Sequence, residues 1–219
     1  MAQKINVSTV NHEVYVRLRE QIMRGEIVPG EKISIRHIAE QYGVSTMPVR
    51  EALRQLQAEG FVYFQRRSII VRQLTVKEVQ EIFAIRMRLE TLAIEWALPN
   101  ITPNNISELK EVVCQMDDDE IQYFEWHQLN QKFHLLFYEQ SGSKQLNQLI
   151  KKVWDMVIPY MYIYTYKADS LKVGQKEHHD ILKLVEQQKL NELLSLIADH
   201  LNRTCGTIVK ELRKIDCKL

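Results

Sequence analysis

The chain has 219 residues, 45% of them hydrophobic and 26% charged, which suits a globular protein with one large core or two modest ones rather than a disordered chain. Its 29 Lys and Arg nearly balance 28 Asp and Glu, which argues against a uniformly basic nucleic-acid protein, and no apolar run is long enough to cross a bilayer. Cys114, Cys205 and Cys217 are widely spaced with no CxxC, so neither a disulfide framework nor a thiolate zinc site is indicated. The N-terminus lacks a basic segment followed by an apolar one, and the expectation is a cytoplasmic protein with reduced thiols and no membrane partner. The average charge conceals an asymmetry. Residues through Gln73 carry 11 basic and 7 acidic side chains, net +4, and the remainder carries 18 and 21, net −3. A basic head on an acidic body suits a polyanion-binding module joined to something else.

In chain order, "NHEVYVRLREQIMRGEIVPG" reads as a helix with Val14, Leu18 and Ile22 at four-residue spacing, stopped near Gly25 and at Pro29-Gly30. "SIRHIAEQYGVS" gives a shorter helix with Ile35, Ile38, Ala39 and Tyr42 inward and Gly43 as a left-handed terminator. "STMPVREALRQLQAEGF" follows two residues later: Ser45 is a suitable N-cap, Pro48 sits in the first turn, and Gly60 is placed for the C-terminal stop. Val49, Ala52, Leu53 and Leu56 form its inward stripe, so Thr46, Met47, Arg50, Arg54 and Gln57 share the solvent face. "FVYFQRRSIIVRQL" reads as a short β-hairpin with a basic tip. Helix, helix, turn, helix and hairpin make a winged helix-turn-helix over residues 1–73. From residue 74 to 219 helical periodicity takes over and predicts an all-α bundle of six or seven helices, with Thr75 and Thr102-Pro103 opening helices and Ser141-Gly142, Pro159 and Gly174 as breaks. The fold class is therefore mainly α.

Arg50 and Arg54 one turn apart could be an ordinary solvated face. Their setting favours DNA. They lie on the second helix of a helix-turn-helix, Arg36 projects from the preceding helix, and Arg66 and Arg67 tip the hairpin. Such a helix fits a major groove, and guanidinium groups make bidentate contacts to guanine or phosphate.

The stretch "IMRGEIVPGEKISIRHIAEQYGVSTMPVREALRQLQAEGFV" resembles the DNA-binding domain of GntR-family transcription regulators over about residues 12–73, on the strength of PG, GVS, PVREAL and EG in order. The resemblance implies that Arg36, Ser45, Thr46 and Arg50 contact double-stranded operator DNA and that the wing around Arg67 reaches the minor groove or backbone. The chain departs from the family pattern with Thr46-Met47 in place of Arg-Thr and Ser68 in place of Gly.

The body carries "WHQLNQKFHLLF", "KEHHDILKLV" and "ADHLNRT". Asn130 and His134 share a helix face, and His178 and His200 each stand in an otherwise apolar stripe. One inward histidine is usually a hydrogen-bonded core residue. Three from three helices raise the alternative of a metal site for Zn, Ni or Fe. The body resembles the FCD effector domain of the FadR subfamily, whose metal-binding members show D/N-x-x-F-H, then EH, then HL. Carried over, this implies Asn130, His134, His178 and His200 as ligands to a divalent transition metal. Asn130 in place of Asp keeps an oxygen donor and removes a negative charge, weakening metal retention and strengthening attraction of an anion. His127 could assist as a ligand or stand behind one, and His179 points about 100° away from His178. Arg86 and Glu90 resemble the family's R-x-x-x-E pattern, so Arg86 either receives a carboxylate effector or pairs with Glu90. Trp154, Tyr160 and Tyr164 could line a ligand cavity, with core packing or a dimer face as the plainer roles.

The expected function is a sequence-specific transcription regulator whose operator affinity is set by a small organic acid at the metal-containing site. A homodimer is expected, since a two-fold protein matches a palindromic operator. Two alternatives stand beside it: a metal-dependent hydrolase fused to a DNA-binding head, with Glu177 as the only adjacent general base, and a metal-free effector domain with structural histidines. No HExxH, nucleophile elbow or Gly-rich phosphate loop supports an enzyme.

Overall fold

Left-handed backbone positions punctuate the first seventy residues, and the elements fall between them. The computed structural model describes residues 10–66, 68–165 and 170–216, and for residues 164, 165, 170, 215 and 216 the backbone alone. The chain divides into two units, Met1–Leu74 and Thr75–Leu219.

In the first unit, α1 (Val10–Met23) buries Val14, Leu18 and Ile22, and Gly25 at φ 68° follows its end. Strand β1 is Lys32–Ile33. Helix α2 (Ile35–Tyr42) starts where Ser34 accepts a hydrogen bond from the His37 N–H and stops at Gly43, φ 64°, whose N–H closes onto Ala39 and Glu40. Helix α3 (Thr46–Ala58) follows. Ser45 occupies its N-cap, but the hydroxyl makes no capping bond. Val49, Ala52, Leu53 and Leu56 are buried together with the α1 stripe in one core, so Leu53→Ala should cost about 2–5 kcal/mol. Strands β2 (Val62–Gln65) and β3 (Ser68–Val71) pair antiparallel from Val62 with Val71 to Gln65 with Ser68. The connection is two residues long, and Arg66 takes φ 52° there, so the turn is tight without a glycine at Ser68. β1 adds to the other edge of β3, giving the order β1-β3-β2. That third strand was not expected, because two residues carry no readable alternation.

The second unit is all helical among the described residues. Helix α4 (Val76–Ala97) opens with reciprocal capping: the Glu78 N–H donates to Thr75 Oγ1 at 3.2 Å and the Thr75 N–H donates to the Glu78 carboxylate at 2.8 Å. After a 3-10 turn at Leu98–Asn100 come α5 (Pro103–Met116), α6 (Tyr123–Glu139), α7 (Lys144–Thr165), α8 (Ser170–Glu186) and α9 (Leu190–Asp216). Helix α4 packs against α6, α7 and α9, α5 against α6 and α8, and α8 against α9.

Two expected breaks are not breaks. Pro159 lies inside α7, where its neighbours Val157, Ile158, Tyr160 and Met161 are buried; packing on that scale outweighs one missing backbone donor. Gly174 lies inside α8, and a Cβ there would stand 3.4 Å from the Trp126 ring and 3.7 Å from Arg203 Nη2. The glycine serves close helix approach, not termination. The turn after α8 instead uses Gln188, a non-glycine residue at φ 55°.

Candidate metal centre and nucleic-acid interface

Arg36 on α2, Ser45 at the α3 N-cap, and Thr46, Arg50 and Arg54 on α3 are all exposed. The inward stripe of α3 leaves no other face for them. Arg54 Nη1 lies 3.0 Å from Glu51 Oε1, so part of its charge is met within the helix. Met47, 63% exposed, stands on the same first turn. Arg67 lies outside the described residues.

In the second unit, α6, α8 and α9 bring His134, His178 and His200 together. One ring nitrogen of each lies within 4.8 Å of the others, and Nε2 of His134 is 3.2 Å from Nε2 of His178. His178 is fully buried, His134 2% exposed and His200 9% exposed. Burial, then the neighbouring imidazoles, pushes His134 well below the ordinary histidine value. His178 is likewise lowered, first by burial and then by His200. Both are therefore neutral at neutral pH, the state a metal ligand needs.

The rings are oriented from behind. His200 Nδ1 is 2.6 Å from Glu177 Oε2, and Arg203 donates to both oxygens of the same carboxylate, from Nε at 2.8 Å and from Nη2. Burial would raise Glu177, but the hydrogen bonds and charges of His200 and Arg203 outweigh it and hold the carboxyl at about 2. A carboxylate at Nδ1 fixes the proton there and turns the His200 Nε2 lone pair toward the other rings. His134 Nδ1 is 3.3 Å from the Tyr138 hydroxyl. His178 Nδ1 is buried with no hydrogen-bond partner among the described residues.

Asn130, 3% exposed, sits one turn before His134 and shares with His200 the lining of a cavity of about 30 Å³, together with His127, Met161, Arg203 and Thr204. Three imidazoles with ring nitrogens within 4.8 Å of one another, and an asparagine lining the cavity beside His200, form a donor set that fits Zn, Ni or Fe in the divalent state. A cavity that small holds a water or two, not an organic acid.

His127 stacks edge-on against Tyr123 at 4.6 Å, and burial pushes it down to about 3. His179 is half exposed and 2.9 Å from Asp117 Oδ1, away from the triad. Trp154 and Tyr160 are core residues at 2% exposure each, and the Tyr164 side chain lies outside the described residues. Arg86 and Glu90 are paired at 2.8 Å, 3% and 1% exposed. The Arg86 guanidinium carbon lies 4.4 Å from the Trp154 ring centre, and its Nη1 is 4.0 Å from the Met161 sulfur. Sequence reasoning missed Arg203, although it stands three residues after His200 on one helix, and it missed Tyr138, four residues after His134. Helical spacing from an identified histidine was the available signal for both.

Comparison with known proteins agrees with both halves. Residues 11–71 match the bacterial regulatory proteins of the gntR family, and residues 81–203 match the FCD domain. The chain is 30% identical over 201 residues to the HTH-type transcriptional regulator YdhC of Bacillus subtilis, covering 88% of each. It is 26% identical over 196 residues to the gluconate operon transcriptional repressor of the same organism, covering 86% of this chain and 76% of that one. Among solved structures, McbR/YncC of E. coli superposes with a TM-score of 0.79 at 24% identity over 94% of this chain and 99% of that one, a likeness of fold. These relatives are regulators and not enzymes, so the hydrolase alternative falls away. A winged helix-turn-helix followed by a histidine-centred helical unit, matched in both halves and along most of its length, places the chain in the GntR family of transcription regulators, in its FadR-like branch with an FCD domain.

Proposed function

We propose that the protein is a metal-dependent sensor of a small organic acid that controls its own hold on operator DNA. The observation that carries this reading is the convergence of His134, His178 and His200 from three helices, with their ligand nitrogens within 4.8 Å. Asn130, His134, His178 and His200 would hold a divalent transition metal, and bound there it would supply a Lewis-acidic centre for an anion.

The chain's own residues do the rest. Glu177, itself clamped by Arg203, keeps the His200 proton on Nδ1. Met161 lines the small cavity and also touches Arg86, so displacement of Met161 would open Arg86 to an incoming carboxylate while Glu90 keeps its Nε. Because the cavity of about 30 Å³ is too small for an organic acid, effector entry has to part packed helices. That requirement couples occupancy to helix arrangement, and a ligand that binds two arrangements unequally shifts their populations.

In the head, Arg50 and Thr46 on α3 would read base edges in the major groove, with Ser45, Arg36, Arg54 and the wing at Arg67 positioning the duplex through its backbone. A homodimer would present two such helices to a palindromic site. The exposed apolar side chains Ile85 and Trp96 on α4 and Leu149 and Met156 on α7, two helices that pack together, offer a surface for a second copy.

Two measurements test the reading together: selection of duplexes from a random pool, and metal content of the purified protein beside the His134→Ala, His178→Ala double variant. The expected results are an enriched two-fold motif and a stoichiometric transition metal that the variant lacks. Equal metal in both proteins would remove the site, and an unenriched pool would remove the DNA-reading head.

A further inference from the structure

Behind His134 lies a second buried polar cluster, of which the proposed function uses only the Arg86–Glu90 pair. Glu90 on α4 is 1% exposed and accepts at both oxygens. Its Oε1 takes the Arg86 Nε–H at 2.8 Å and the Trp154 Nε1–H at 2.9 Å, and its Oε2 takes the Tyr138 O–H at 2.7 Å. Tyr138 is fully buried, and its oxygen is also 3.3 Å from His134 Nδ1. Burial, then the Glu90 charge, pushes the Tyr138 hydroxyl well above its ordinary value, so it keeps its proton.

The donors and acceptors can be counted through this chain. A phenol has one proton, and the carboxylate, the stronger acceptor, takes it. The Tyr138 oxygen is then left as an acceptor toward His134, so the proton between them belongs to His134 Nδ1. A neutral imidazole with Nδ1 protonated carries its lone pair on Nε2, and His134 Nε2 faces His178.

We propose, resting on the metal-site reading above, that Glu90 and Tyr138 are positioning residues for His134: they hold its proton on Nδ1 and so direct its Nε2 lone pair toward His178 and His200. Glu177 does the same for His200 directly. Of the three histidines only His178 has nothing behind it among the described residues, where its Nδ1 is buried without a partner. In the metal-free protein His178 therefore takes the remaining role, donating from Nε2 to His134 Nε2 at 3.2 Å. The relay also ties the histidine centre to α4, the helix that begins at the boundary of the DNA-binding unit.

Substitution at Glu90 has a consequence that packing alone would not produce. In Glu90→Gln the single remaining oxygen faces two N–H donors, Arg86 and Trp154, and must serve them. The amide nitrogen then faces Tyr138 and donates to its oxygen. The phenol proton turns to His134 Nδ1, and His134 becomes the Nε2–H tautomer. Tyr138→Phe removes the relay atom altogether and leaves His134 with no preference imposed from behind.

The test is nitrogen NMR of full-length, chelator-treated protein labelled at histidine, in which protonated and bare ring nitrogens resonate far apart, followed by competition titration with Zn²⁺ alone. The expected results are His134 protonated on Nδ1 in the unsubstituted protein, on Nε2 in Glu90→Gln, and on a mixture of the two in Tyr138→Phe. Both variants should also lose Zn²⁺ affinity on the order of 10–100-fold. If Glu90→Gln fails to fold because Arg86 loses its counter-charge, Tyr138→Phe alone decides the matter. A His134 tautomer unchanged in Tyr138→Phe, with Zn²⁺ affinity intact, overturns the proposal and leaves the metal site standing. The stated tautomers with no Zn²⁺ uptake by the unsubstituted protein support the relay and overturn the metal-site reading instead.

Discussion

Acidification should unfold the helical unit well before ordinary acid denaturation, because it buries imidazoles that cannot charge in place. His127, His134 and His178 are 5%, 2% and 0% exposed, and burial holds His127 at about 3 and the other two well below 6.5. A group whose folded pKa is depressed contributes stability that is complete above its unfolded value and is lost as pH falls toward the folded one. With an unfolded value of 6.5 and a folded value of about 3, His127 alone costs RT ln(1 + 10^1.5), about 2 kcal/mol, at pH 5. His134 and His178, lowered by burial in the same direction, add to that loss, set against the ~5–15 kcal/mol that holds a domain together. All three tryptophans, Trp96, Trp126 and Trp154, lie in this unit, so their emission follows it without contribution from the head. Urea unfolding with chelator, monitored by tryptophan at pH 7 and pH 5, should show the drop. His127→Phe, which keeps a ring against Tyr123, should recover about 2 kcal/mol of it. A difference below ~1 kcal/mol between the two pH values, or the full drop in His127→Phe, would refute the linkage.

Arg50→Ala should lose about 1–3 kcal/mol of discrimination between the selected duplex and one altered at a base pair; competition binding checks it, and preserved discrimination would show that α3 does not read bases through Arg50. Arg86→Met leaves the Glu90 carboxylate buried without its counter-charge and should destabilise the helical unit by about 3–5 kcal/mol in the same urea assay, whereas replacing both partners by apolar residues should cost far less. Gly174→Val pushes a branched side chain against Trp126 from 3.4 Å and should cost about 1–3 kcal/mol, with a shift in Trp126 emission; an unchanged unfolding curve would mean that α8 does not need the close approach.

The head was legible because its punctuation is local. Gly43 and Gly60 take positive φ where the chain turns, and the stripes of α1 and α3 sit at helical spacing with a buried residue at each expected position. The body was legible in its helices and its histidines but not in its stops. Pro159 and Gly174 look like breakers in isolation, and only the surrounding burial and the approach of Trp126 explain why the helices run through them. Gln188 is the converse, a turn that no glycine announces. The triad could be anticipated, since three histidines in apolar stripes have few uses. The cluster behind His134 was marked only in its two four-residue pairs, Arg86 with Glu90 and His134 with Tyr138; that Glu90, Trp154 and Tyr138 meet from three helices leaves no mark on spacing. Glu177 stood out as a possible base and is found instead as the partner of His200 and Arg203.

The central claim is that the histidine centre governs DNA affinity. Its most direct test is the affinity of the purified protein for its selected duplex, titrated with a panel of small carboxylates, in metal-loaded protein and in the His134→Ala, His178→Ala variant. The account predicts that at least one carboxylate changes affinity about tenfold or more, a coupling of ~1.4 kcal/mol, in the loaded protein and leaves the variant unmoved. An equal response in both proteins, or none to any carboxylate in the loaded one, would contradict it.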